Sequence, residues 1–158
     1  MYFAPPSMVG KESPYYDKIY YIGNVAHEFP HIPFDKYRHQ IGGYGGEPQA
    51  KGAPQWFTEG LGEYFRILVI GEEIFEEKYK QRYDQGLSDL RRYGLNRVKD
   101  VYAAGAWSFR FIDDQFSLPT VINILKSPEQ IFWKAVRAEI GLQRNGFEQR
   151  FRNWLPRG

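Results

Sequence analysis

The chain of 158 residues contains no cysteine. Disulfides, thiolate metal sites and cysteine nucleophiles are thereby excluded, and any metal must sit on His, Asp or Glu. The absence suits a cytoplasmic protein and a secreted bacterial one equally, so it leaves the compartment open. Long apolar runs are also missing: the best, Ile67-Leu68-Val69-Ile70, falls far short of the roughly 18 residues of a membrane span. Met1-Tyr2-Phe3-Ala4-Pro5-Pro6 has neither the basic start nor the apolar stretch of a signal peptide. The chain could still be a piece of a longer bacterial protein. A strong charge excess is the third absence. Lys and Arg total 21 against 19 Asp and Glu, a net charge of +2, which argues against a nucleic-acid partner.

What is present is apolar and aromatic. With 42% apolar and 18% aromatic residues, the chain can bury one substantial core. Residues 1–22 read as an extended N-terminal segment punctuated by Pro5, Pro6, Gly10 and Pro14, in which Ile19-Tyr20-Tyr21-Ile22 suits a short strand or the start of a helix. A short helix is expected from Val25 to about Ile32, with Asn24 as N-cap. The glycine-rich stretch Ile41-Gly42-Gly43-Tyr44-Gly45-Gly46-Glu47-Pro48 reads as a loop. After Pro54 helical spacing takes over: Trp56, Glu59, Gly60, Glu63 and Ile67 share one face. Phe75, Tyr79, Tyr83, Leu87 and Leu90 mark a second helix, and Asp100 would cap a third carrying Ala104, Trp107, Phe111 and Ile112. Pro119 and Pro128 suit the first turns of two short helices, and Phe147, Phe151, Trp154 and Leu155 a last one, with breaks at Gly141 and Gly146.

Two motifs carry chemistry. The first is His27-Glu28-Phe29-Pro30-His31, an H-E-x-x-H pattern. Residues four apart on a helix differ by about 40° and about 6 Å, so both imidazoles reach one side and can share an ion. Glu28 is then placed to take a proton from a water that the ion activates. Two His at this spacing are also common as a polar or packed pair. A third ligand decides between the readings. The metzincin continuation is excluded, because positions 34 and 37 hold Phe34 and Tyr37 and His39 has the wrong spacing. The second motif is Pro54-Gln55-Trp56-Phe57-Thr58-Glu59-Gly60-Leu61-Gly62-Glu63-Tyr64. Its carboxylates Glu59 and Glu63 lie one turn apart on one face. They read as a solvated helix face or, given Trp56, Gly60 and Ile67 beside them, as a buried pair in need of a cation.

With both motifs in view, the chain resembles the gluzincin zinc metallopeptidases, in particular the bacterial peptidase MA-like families, which pair H-E-x-x-H with a downstream W-x-x-E-G-x-x-E-Y helix. The resemblance extends from His27 over most of the chain, through Tyr102-Ala103-Ala104-Gly105, Ser108-Phe109, Phe111-Ile112, Gly141 and Phe147 to Leu155. It implies an α+β, predominantly α, zincin-like catalytic domain with a reduced N-terminal sheet and a helical C-terminal part. That domain would occupy 1–158 as a single unit: 1–22 extended, 23–70 the zinc-site helices and glycine-rich loop, 71–158 helical. It implies one Zn²⁺ ion on His27, His31 and Glu59, with Glu63 holding a ligating His by its other ring nitrogen. Gly60 would let the second site helix lie close to the first. Glu28 would act as general base in hydrolysis of a peptide or protein substrate. Tyr102, with Tyr93 behind it, would steady the oxyanion, although either also suits an ordinary core or surface tyrosine.

Three features depart from the family. Pro30 stands between the two His, where an interior proline costs on the order of 3 kcal/mol, and Pro33 would shorten the helix further. Only 26 residues precede His27, too few for the family's substrate-holding sheet. The G-x-M-E-N motif of the related aminopeptidases is missing. A catalytically degenerate binding or scaffold domain of the same fold is therefore the rival expectation.

Overall fold

The computed structural model describes residue 8 and residues 10–13, 17–32, 52–95 and 97–157. Among the described residues, seven α-helices carry the architecture: α1 (Lys18–Glu28), α2 (Gln55–Ile70), α3 (Glu72–Tyr93), α4 (Val101–Phe116), α5 (Pro119–Lys126), α6 (Phe132–Ile140) and α7 (Arg144–Trp154). No strand occurs among the described residues. The expected α+β, zincin-like fold is therefore corrected: there is no N-terminal sheet among the described residues, and the zincin assignment is withdrawn with it. The reason is local. Asp17 accepts from the backbone N–H groups of Ile19 and Tyr20, at 2.8 and 3.1 Å, and so caps a helix through Ile19-Tyr20-Tyr21-Ile22. The 1–22 segment is thus not extended throughout; it is helical from Lys18. The glycine-rich loop, Pro33 and His39 lie outside the described residues.

Helix α2 forms the axis of the molecule. Its N-terminal turn is anchored by an aromatic core: Phe57 meets Phe132 edge-on with ring centroids 4.8 Å apart, and Trp56 stacks on Phe147 at 5.9 Å. Phe57, Phe109, Phe111, Phe132, Phe147 and Phe151 are all fully buried. Each pair of such rings, packed edge-to-face or offset, adds about 0.5–1.5 kcal/mol beyond the area it buries. Helix α4 lies along α2 at backbone contact. A Cβ on Gly105 would fall 2.4 Å from the Gly60 Cα, so neither position has room for a side chain. On its other side α2 receives α1.

Helix α3 has its apolar residues at the expected period, with Phe75, Tyr83 and Leu90 buried. Pro119 occupies the first turn of α5. Pro128 does not open a helix, since α6 begins only at Phe132. Gly141 ends α6 in the left-handed region, whereas Gly146 lies inside α7 and breaks nothing. None of the described helices is long and apolar enough to cross a membrane.

Asp100 caps α4 as its position predicts, accepting from the Tyr102 and Ala103 N–H groups at 3.1 Å each. It also accepts from Arg82 of α3, whose Nη2 lies 2.8 Å from Oδ1. Burial works against the Asp100 carboxylate, but Arg82 and the two N–H groups outweigh it and hold its pKa below the ordinary value. Asp100→Ala is expected to lower stability by about 1–2 kcal/mol at neutral pH, the range for a lost cap. A carboxyl with a depressed folded-state pKa stabilises above its unfolded pKa, and the contribution fades as the pH falls through the folded value. Urea titrations should therefore separate wild type and variant at pH 7 and converge below about pH 4.

Candidate metal centre

Helix α1 ends earlier than expected and begins earlier too. Its cap is Asp17, not Asn24, and its last residue is Glu28. The break is where Pro30 predicts one, because proline offers no N–H to the ladder. Phe29 still donates to the Val25 carbonyl at 3.1 Å with α-helical angles. Beyond it the bond from the Ile32 N–H to the Phe29 carbonyl spans only three residues, at 3.3 Å. The chain makes a turn at Phe29-Pro30 and returns to helical geometry at His31. Because Phe29 stays in the α region, the turn costs the helix its ladder but not its direction. The His31 Nε2 lies 3.5 Å from the His27 Nε2.

The carboxylate of Glu59 completes this convergence. Its Oε2 is 3.4 Å from the His27 Nε2, and one ligand atom each from His27, His31 and Glu59 can be chosen so that all lie within 4.8 Å of one another. A tetrahedral ion with bonds of about 2.0–2.1 Å to N and O donors separates those donors by about 3.3–3.4 Å. Two edges of the site already match that spacing, and the donor set is one that Zn²⁺ accepts. Two imidazole nitrogens and a carboxylate oxygen facing one point repel each other unless a proton or a cation lies between them. A cation held by the three side chains would relieve that repulsion, as would a proton shared by His27 and Glu59.

Gly62 is what brings α1 and α2 together here. A Cβ at that position would sit 2.6 Å from the His27 Cε1 and Nδ1 and 2.7 Å from its carbonyl oxygen. The expectation that Gly60 does this is corrected: Gly60 faces Gly105 on α4, the opposite side of α2. The site thus depends on two small residues, two positions apart, that each admit a different neighbour.

Behind His27 lies a buried relay. The Glu63 Oε1 is 3.0 Å from the His27 Nδ1, a close contact although poorly aligned for a hydrogen bond. Glu63 is buried, and its Oε1 is also 3.0 Å from the Nη1 of Arg66. Arg66 reaches further, donating to the Gly23 carbonyl at 3.2 Å and to the Asn24 Oδ1 at 3.0 Å. Asn24, expected as a cap, is instead a mid-helix anchor. Burial disfavours the His27 imidazolium, yet Glu59 and Glu63 together outweigh it and raise its pKa above the ordinary value. The same His27 contact draws the Glu59 pKa down, against the effect of its burial.

Tyr102 is brought to the site and Tyr93 is not. The Tyr102 ring lies 5.7 Å from that of His27, centroid to centroid, and the Arg82 guanidinium lies 4.8 Å from the centre of the Tyr102 ring. Its pKa is raised first by burial and then by the nearby Glu59 charge, with smaller contributions from Glu63 and Glu28. Glu28, half-buried at the end of α1, therefore shares the electrostatic neighbourhood of these groups. Tyr93 ends α3, exposed, with Arg92 over its ring. Sequence reasoning missed Arg66, Gly62 and Arg82. Only Arg66 left a readable signal, as a cation three residues after Glu63 on the same helix. No family model, curated protein or solved structure matches this chain.

Proposed function

We propose that the protein is a zinc-dependent peptidase in which His27, His31 and Glu59 hold one Zn²⁺ ion. The observation that supports this most is the convergence of three ligand atoms from α1, the segment just past its end and α2, with two of the separations 3.5 and 3.4 Å. A bound ion supplies Lewis acidity, polarising a carbonyl and raising the acidity of water near neutral pH. The chain's own residues account for the rest. Glu28 takes the proton of the attacking water and passes it to the leaving amine. Tyr102 donates its hydroxyl proton in a hydrogen bond to the oxygen on which charge develops. Glu63 keeps the His27 ring aimed at the ion from behind.

A second reading, a helical metal-binding module without turnover, is favoured by one observation. Among the described residues there is no strand whose edge would align an extended peptide. Metal content measured after purification and dialysis tests what the two readings share. Close to one zinc per chain is expected for the wild type, and about a tenth of that or less for Glu59→Ala. Equal metal in both proteins would sink the proposed ligand set. Hydrolysis of a mixed peptide library by the zinc-loaded wild type supports the peptidase, and its absence the module.

A further inference from the structure

Arg66 is the most deeply committed cation among the described residues. It is 7% exposed, and its guanidinium makes contacts in three directions. Toward its own helix, Nη1 lies 3.0 and 3.3 Å from the two Glu63 oxygens. Toward α1, Nε donates to the carbonyl of Gly23 and Nη2 to the side chain of Asn24. Toward α3, the group lies 5.3 Å from the centre of the Tyr79 ring. Gly23 stands one helical turn before His27, so the carbonyl that Arg66 grips belongs to the turn presenting that ligand. A Cβ on Gly23 would come to 3.4 Å from the Arg66 Cγ, an ordinary van der Waals distance, so the arginine stem packs directly against this turn of α1.

A buried ion pair is weak as a source of stability, because desolvation cancels much of its attraction. Apolar residues of similar volume would pack this helix interface as well. What they would not do is fix Glu63. Without a cation beside it, a buried carboxylate 3.0 Å from an imidazole turns toward water or takes a proton, and the ring it faces is free to turn with it. The planar fork of arginine, with donors in a fixed arrangement, can hold a carboxylate and two acceptors of a neighbouring helix at once; a lysine cannot.

From this geometry we infer that Arg66 is a positioning residue for the metal centre. By gripping Glu63 on one side and the α1 backbone on the other, it holds the His27 ring aimed at the ion-binding point before an ion arrives. The inference rests on the metal-site reading above and extends it to a residue that touches no ligand atom of the ion. A pre-aimed ring binds more tightly because its ordering is not charged against binding.

The test compares Zn²⁺ affinity, read by competition with a chromophoric chelator, across variants of the full chain. Arg66→Met is expected to weaken binding by about 10- to 100-fold, the range for loss of a group that orients a ligand. Asn24→Ala removes one anchor to α1 but leaves both Glu63 contacts, and is expected to stay within about threefold of wild type even though it lowers the melting temperature. Should Arg66→Met fail to fold, Arg66→Lys carries the test, with binding at least about fivefold weaker because the fork is lost. A second readout is the ring ¹H–¹³C spectrum of His27 in ion-free protein. One sharp set of signals is expected for wild type, and broadened or doubled signals for the Arg66 variant. Unchanged affinity together with unchanged ring signals would overturn the inference. If wild type takes up no Zn²⁺, the metal reading fails, and the ring signals alone decide the role of Arg66.

Discussion

Gly62→Ala is expected to abolish metal binding and to lower the stability of the folded chain by about 1–3 kcal/mol or more, the range for an overpacked interior. The added methyl carbon would have to occupy a point 2.6 Å from two atoms of the His27 ring and 2.7 Å from the His27 carbonyl oxygen. A flexible side chain could swing aside from such a contact, but the backbone oxygen cannot. Helix α1 must therefore move off α2, and the 3.4 Å separation between His27 and Glu59 opens with it. The converse change on the other face, Gly60→Ala, meets the Gly105 backbone at 2.7 Å and strains the core instead. Zinc titration and thermal melting of Gly62→Ala separate the two consequences. A variant that binds zinc like the wild type would show that the α1–α2 contact is not what assembles the site.

Glu28→Gln is expected to reduce peptide hydrolysis by about 10²- to 10⁴-fold, the contribution of a positioned general base, while leaving zinc stoichiometry unchanged. The amide preserves the shape of the side chain but cannot accept a proton from water. Glu28 lies on α1 beside His27 but is not among the converging ligand atoms, so its replacement leaves the ion-holding set complete. Loss of both zinc and activity would move Glu28 into the ligand set and undo the assignment of roles. Retention of both would remove it from the chemistry.

How much of this was readable from residues alone depends on how local each signal was. The period of α3, the Asp100 cap and the proline start of α5 depend on neighbours within a turn or two, and they appear as read. Ile19-Tyr20-Tyr21-Ile22 was ambiguous because four apolar residues have no period that separates strand from helix. The expected sheet rested on the family resemblance and on the strand option left open for those residues, and the Asp17 cap overrules both. At the site, His27 and His31 were singled out by their spacing and Glu59 by the family resemblance, and the fold brings the three side chains together. Pro30 was rightly read as a helix breaker, but its effect on the ligands depends on the angles of Phe29, which no composition rule supplies. The partition of Gly60 and Gly62 between two neighbouring helices, and the reach of Arg66 to residues 42 and 43 positions earlier, are tertiary facts. Neither leaves a mark within one helix.

The proposed site holds one ion among His27, His31 and Glu59. Crystals of the zinc-loaded chain, measured on both sides of the zinc absorption edge, test it most directly. One anomalous peak is expected at about 2.0–2.2 Å from Nε2 of His27, the ring of His31 and a carboxylate oxygen of Glu59. A map with no peak there, or with its zinc on other residues, would contradict it.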